Sequence, residues 1–92
     1  MKESQIERKV CDYVKSKGGL AYKFTSPQRR SVPDRLFILP GGRVVFVEFK
    51  RPGGKLTSGQ EREIQRLKDL DCAVHVAWSV EDGIGIVDAY TL

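Results

Sequence analysis

The chain has little of what much catalytic chemistry is assembled from. Its single histidine, His75, leaves a Ser-His-Asp triad or a His-based metal site without partners, and it reads as a structural residue of a strand. Its two cysteines, Cys11 and Cys72, lie far apart in apolar periodic segments, with no CxxC neighbour. They are expected as reduced, buried thiols, a single disulfide being the other possibility. No apolar run approaches the ~18 residues of a membrane span, and the start, MKESQIERKV, lacks a signal-peptide core. No membrane partner is therefore expected, and a cytoplasmic location is. Gly41-Gly42 and Gly53-Gly54-Lys55 mark turns, since neither follows the G-x-x-x-x-G-K-[ST] pattern of a P-loop. Repeats, linkers and low-complexity tracts are also missing, so residues 1–92 are read as one domain.

Charge is unevenly distributed. The net charge is +4, but Lys23 to Lys68 holds eleven Lys/Arg against four acids, and Asp69 to Leu92 holds five acids and no Lys or Arg. A basic middle with an acidic tail fits a polyanion met by one face, a solvated basic surface being the plainer alternative.

The hydrophobic pattern gives the order of elements. Ser4-x-x-Glu7 has the form of a capping box and precedes Val10, Tyr13 and Val14 at helical spacing, with Gly18-Gly19 ending the helix. LAYKFT alternates Leu20, Tyr22 and Phe24 with Ala21, Lys23 and Thr25, as a half-buried strand does. After the loop SPQRRSVP, DRLFIL and RVVFVEFK flank Pro40-Gly41-Gly42 and read as a hairpin. Thr57-x-x-Gln60 is a second capping box, opening a helix with Ile64 and Leu67, and CAVHVAWS is a fourth strand. Ser79 caps a short last helix, which Gly83 and Gly85 weaken. The expected fold is α/β, in the order α-β-β-β-α-β plus a short C-terminal helix, on a mixed sheet.

The third strand is made for burial yet ends in Glu48 and Lys50, which alternation places on one face, roughly 7 Å apart. With a three-residue turn centred on Gly41, opposite residues have numbers summing to 82, and Asp34 falls across from Glu48 at about 4.5–5.5 Å. Two carboxylates that close repel unless a cation lies between them. An all-oxygen site beside a lysine suits Mg²⁺ or Mn²⁺. Structural pairs, Glu48–Arg35 or Asp34–Lys50 on a solvated face, are the competing explanation.

Pro33-Asp34 followed by Glu48-Phe49-Lys50 resembles the PD-(D/E)XK nuclease signature, whose fold is the restriction-endonuclease-like core. More narrowly, the chain resembles a stand-alone VRR-NUC domain, through Ser4-x-x-Glu7, YKFTSPQRRSVPDR, Glu48-x-Lys50-x-Pro52 and KLTSGQ in order. It departs in one place, carrying Ser31 where the family usually has glycine two residues before the Pro-Asp. If that position needs a positive φ, the loop is built differently here.

The resemblance implies roles. Asp34, Glu48 and the backbone carbonyl of Phe49 would hold the divalent metal. Lys50 would orient and help deprotonate the attacking water. Glu7 would complete the metal site or serve its own helix cap, with Glu3 the alternative acid. Gln60 would point into the site or act as a cap. Lys23 and Ser26 would touch the scissile phosphate, though Lys23 also reads as an ordinary exposed lysine. Arg29, Arg30, Arg35, Arg51 and Lys55 are read as loop contacts to DNA phosphates, which position the duplex without reading its sequence.

The expected function is a Mg²⁺- or Mn²⁺-dependent DNA endonuclease selective for branched structures, a Holliday-junction resolvase acting as a homodimer in a bacterial or phage-infected cell. Alternatives are a flap, fork or general DNA nuclease, or a non-catalytic nucleic-acid-binding module on the same fold. The dimer interface is expected at Trp78, Ile84, Ile86 and Tyr90.

Overall fold

The structure is a computed structural model and describes residues 1–91. Along the chain run α1 (Glu3–Ser16), β1 (Leu20–Lys23), β2 (Arg35–Leu39), β3 (Arg43–Phe49), α2 (Ser58–Asp69), β4 (Val74–Ala77) and α3 (Val80–Ala89). The sheet order is β1-β2-β3-β4; the first two pairs are antiparallel and β3–β4 is parallel. That mixed sheet and order are the ones expected. A parallel pair needs a long crossover, and α2 provides it.

The β2–β3 hairpin sets the register on which the site depends. Pro40, Gly41 and Gly42 form its loop, with φ of 88° at Gly41 and 77° at Gly42, and the Gly42 N–H donates to the Leu39 carbonyl at 3.0 Å. Two successive left-handed residues are what glycine permits at no steric penalty. Pairing runs from Leu39↔Arg43 to Arg35↔Val47, so every pair sums to 82.

One face of the sheet carries the core. Phe37 and Leu39 of β2, with Val45, Val47 and Phe49 of β3, are buried against Ile6, Val10, Cys11 and Val14 of α1 and Val87 of α3. The opposite face receives α2, which packs over β4 and buries Ile64. Among the described residues, no helix covers the part of that face formed by β1, β2 and the start of β3. There Leu20, Tyr22 and Val44 remain 49%, 51% and 44% exposed, and the Phe24 and Phe46 rings lie 5.5 Å apart.

Two local expectations are corrected. The α1 capping box is not Ser4–Glu7: the helix starts two residues earlier, with Lys2 as N-cap and Gln5 Oε1 accepting from the Lys2 N–H at 2.9 Å. The strand β1 does not turn Leu20 and Tyr22 toward the helices. Its parity follows its partner: Ala21 pairs with Phe37, which is fully buried against α1, so Ala21 faces the core and its large neighbours face outward.

The glycines of α3 do not weaken it in the way propensity implies. The helix runs ten residues from its Ser79 cap, whose Oγ accepts from the Asp82 N–H. Gly83 is buried where α3 crosses α1, and a Cβ there would lie 2.3 Å from Val10 Cγ2. Its missing side chain is therefore a packing requirement. Gly85 faces open space.

The two positions are expected to respond with opposite signs. Gly83→Ala forces α1 and α3 apart and should cost about 1–3 kcal/mol in urea unfolding. Gly85→Ala should stabilise by about 0.5–1 kcal/mol through helix propensity alone. Equal responses at both positions would contradict the packing account.

Candidate active site

Asp34 and Glu48 meet where the hairpin register leaves them. Asp34 directly precedes β2, one step beyond the Arg35↔Val47 pair, so continuing the register sets it across from Glu48. Two backbone bonds hold it there: its carbonyl accepts from the Phe24 N–H at 3.0 Å, and its Oδ2 accepts from the Phe49 N–H at 2.8 Å. In an extended strand, the carbonyl of a residue points to the same edge as its N–H. The Phe49 carbonyl thus shares the edge that Asp34 occupies.

Glu48 is 3% exposed, and it is the buried charged side chain among the described residues. Its Oε2 accepts from Gln60 Nε2 at 3.0 Å. The other end of the same amide is engaged by the helix start: Gln60 Oε1 accepts from the Thr57 N–H at 3.0 Å, and the Gln60 N–H donates to Thr57 Oγ1 at 3.1 Å. The two readings of Gln60, as cap and as site residue, are compatible. The cap fixes which end of the amide faces Glu48, and that end is a donor.

The pair is electrostatically tense. Burial pushes Glu48 up to about 8, with the neighbouring Asp34 charge adding to it and Lys50 opposing it. Asp34 is also raised by burial, with the Phe49 N–H working the other way. Glu48 is the group that keeps the proton and shares it with Asp34. Two carboxylates whose mutual repulsion is relieved by a proton form a site that a divalent cation can occupy in the proton's place. Two carboxylates and a backbone carbonyl, all oxygen, fit a hard ion that keeps several waters. Among the described residues, no group of three or more His, Cys, Asp or Glu side chains converges.

Basic and hydroxyl groups surround this centre. A cavity of about 230 Å³ brings Asp34 together with Lys23, Ser26, Arg29 and Arg30. Lys50 follows β3, anchored by its N–H to the Ala77 carbonyl at 3.0 Å. Arg51 and Lys55 are exposed on the next loop. Another cavity, of about 660 Å³ and lined by Arg43, Val44 and Tyr90 among others, sits by the opposite end of β3 and contains none of these groups.

Similarity to known proteins agrees with this geometry. Residues 4–81 match the family described as the VRR-NUC domain. The chain belongs to the VRR-NUC family. It is 52% identical over 67 residues to a protein named "Putative nuclease p44" of Acyrthosiphon pisum secondary endosymbiont phage 1, covering 73% of this chain and 72% of that one. A solved structure named "VRR_NUC domain" superposes with a TM-score of 0.88 at 29% identity, covering 96% of both chains. A second, "VRR_NUC domain protein", has a TM-score of 0.79 at 15% identity over 98% of this chain and 88% of its own, a likeness of fold. The α-β-β-β-α-β-α arrangement is thus that of a VRR-NUC nuclease domain, consistent with the PD-(D/E)XK signature, and its substrate class is nucleic acid.

In this VRR-NUC chain the helical acids behave differently from expectation. Glu7 neither caps α1 nor lies free beside the carboxylates. Its Oε2 is 2.6 Å from Arg35 Nε. Arg35 is accordingly corrected from a loop contact to DNA: it belongs to β2 and also donates to the Ala21 carbonyl at 3.3 Å. The alternative pair Glu48–Arg35 is ruled out by parity, because Arg35 shares the Val47 face and Glu48 faces the other way. Both α1 acids still act on the site through space: Glu7 raises Asp34, and Glu3 raises Asp34 and Glu48. Ser31 does not need a positive φ, as Asp71 is the non-glycine residue with one. Its Oγ instead lies where a side chain on Gly59 would project, 2.6 Å from that ideal Cβ. Sequence reading did not single out Arg62 and Arg66 of α2. Their four-residue spacing was the available signal.

The carboxylate pair predicts the pH dependence of metal-free stability. Glu48 binds its proton more tightly folded than unfolded, so this contribution is fully present below about pH 4.5 and is lost as pH rises toward about 8. After EDTA treatment, urea unfolding should show stability falling by a few kcal/mol between those limits. Glu48→Gln should flatten the profile, and Mg²⁺ or Mn²⁺ should restore more stability at pH 8 than at pH 5.5. A flat wild-type profile would mean that the two carboxylates do not share a site.

Proposed function

We propose that this VRR-NUC domain is a Mg²⁺- or Mn²⁺-dependent endodeoxyribonuclease that acts on branched DNA, four-way junctions above all, as a two-fold homodimer. The observation that carries the reading is buried Glu48 beside half-buried Asp34, held by Gln60 and the Phe49 N–H next to a cavity with Lys23, Arg29 and Arg30. A binding module has no use for a buried carboxylate set against a second one that repels it.

Asp34, Glu48 and the Phe49 carbonyl would hold the cation, which when bound polarises a phosphoryl oxygen and acidifies water. Gln60 keeps Glu48 oriented, so the acid does not have to reorganise as substrate arrives. Lys50, whose charge already acts on Glu48, orients the attacking water and offsets charge on the crowded phosphorus. The water oxygen bonds to phosphorus, the bond to the leaving ester oxygen breaks, and that oxygen takes a proton. Lys23 and Ser26 bind the scissile phosphate, while Arg29, Arg30, Arg51 and Lys55 hold neighbouring phosphates. Glu3 is the better candidate for a further acid at the metal, since Glu7 is bound to Arg35.

Paired cuts favour two copies. One centre cuts one strand per engagement, and a junction needs two symmetric cuts, which an isologous dimer supplies. The expected interface at Trp78, Ile84, Ile86 and Tyr90 is poorly suited, because Ile86 and Tyr90 pack on the core and Tyr90 Oη bonds His75 Nε2 at 2.8 Å. The helix-free half of the sheet, with Leu20, Tyr22 and Val44, is the better surface for a second copy.

Two measurements test the proposal. Asp34→Ala, Glu48→Ala and Lys50→Ala should each cut cleavage by roughly 10²-fold or more while leaving DNA binding near wild type. The substrates should be labelled linear, flap, fork and four-way DNA with Mg²⁺, Mn²⁺ or EDTA. Cleavage in EDTA, or full activity of either carboxylate variant, refutes the metal assignment. Separately, light scattering should give twice the 10.4 kDa chain mass, and Tyr22→Asp with Val44→Asp should halve it without unfolding. A wild-type monomer that trims flaps and ignores junctions refutes the dimeric resolvase and leaves the nuclease standing.

A further inference from the structure

We infer that Arg62 and Arg66 of α2 join Arg29 and Arg30 in a second phosphate-binding site, which holds a phosphodiester of the bound DNA adjacent to the one that is cut. The inference rests on reading the chain as a DNA nuclease and extends it to a surface that the sequence did not mark.

The site is a cavity of about 250 Å³ between the 28–31 loop and one stripe of α2, which the four arginines line. Glu63 is the acid in its lining. It lies 3.5 Å from Arg29; the Arg29 side chain is 52% exposed and that of Glu63 13%, so the guanidinium can turn to an anion while Glu63 stays in the wall. Arg62 and Arg66 stand four residues apart on one helix, a like-charge arrangement that destabilises a helix unless something neutralises it. Neither makes a salt bridge among the described residues. The loop is held tightly to α2 as well: Ser31 Oγ occupies the space a Gly59 side chain would need. Arginine converging on a small polar cavity presents the forked donors that phosphate oxygens accept.

Position gives the cavity its meaning. Arg29 and Arg30 line it and also line the cavity that contains Asp34. Two basic cavities sharing a wall of two arginines make a continuous track, beginning at the carboxylates and ending on α2. A single strand of phosphates follows such a track naturally: one phosphate reaches Asp34 and Glu48, and a neighbour sits among the four arginines. The site thus fixes which way the strand leaves the catalytic centre.

The test is binding of a labelled four-way junction and a linear duplex in Ca²⁺, across a salt series, for the full chain and for Arg62→Gln with Arg66→Gln. The double variant should bind both DNAs more weakly and lower the slope of log affinity against log salt by about 2. Lys9→Gln with Lys17→Gln, which removes equal charge from exposed positions on the α1 side, should shift the slope by less than half as much. Neutral methylphosphonate placed one linkage at a time should weaken wild-type binding at a position flanking the cut, and the Arg62/Arg66 variant should lose that sensitivity there alone. An unchanged slope, or an unchanged methylphosphonate profile, overturns the second phosphate site while leaving the nuclease reading intact. So does a variant whose only change is a halved mass in light scattering, which would assign the arginines to a second copy. A wild-type chain that neither binds nor cuts DNA overturns both.

Discussion

A buried glutamate set beside a second, partly exposed carboxylate is the constraint around which the rest of the protein is arranged. Glu48 stands at the end of a strand whose Val45, Val47 and Phe49 are buried for hydrophobic reasons, and beside it Asp34 adds a second negative charge. Left alone, that arrangement would drive the strand end toward solvent. It is held by neutral donors instead of a directly bonded opposite charge: the Phe49 N–H on Asp34 and the Gln60 amide on Glu48. Neutral donors orient a carboxylate without satisfying its charge. The site is therefore stable with a proton and receptive to a cation.

Several features of the fold follow from that need. The turn at Gly41-Gly42 fixes the hairpin register, and the register determines that Asp34 and Glu48 face one another. The parallel crossover through α2 brings the start of that helix over the end of β3, where Gln60 can cap its own helix and reach Glu48 with the same amide. Arg35 and Glu7 neutralise one another on the other face, which keeps a guanidinium from pairing with Glu48 and quenching the site. Anchoring α1 through Arg35 also sets Glu3 close enough to influence both carboxylates.

The division of labour between the sheet faces explains the uneven surface. One face is covered by α1 and α3, close-packed to the point that Gly83 must lack a side chain. The other is shared by α2, the carboxylates and an open apolar half, so the polar site and the exposed apolar patch both lie on the side that the core does not use. The acidic tail fits this arrangement, because its helix α3 lies on the core side, across the sheet from α2 and its arginines.

What the sequence determined by itself was local or nearly so. Alternation and turn length placed Glu48 opposite Asp34, because a three-residue glycine turn admits essentially one register; the motifs pointed to the VRR-NUC family; and periodicity, with the Thr57–Gln60 capping box, put the helices in order. Four matters were decided only in three dimensions. The facing of Leu20 and Tyr22 depended on pairing with Phe37, Glu7 went to an arginine 28 residues away, Gly83 answered to Val10, and the arginines of the loop and of α2 came together. Each of these depends on which elements touch, and a one-dimensional pattern carries the periodicity of an element but not the identity of the surface that its faces meet.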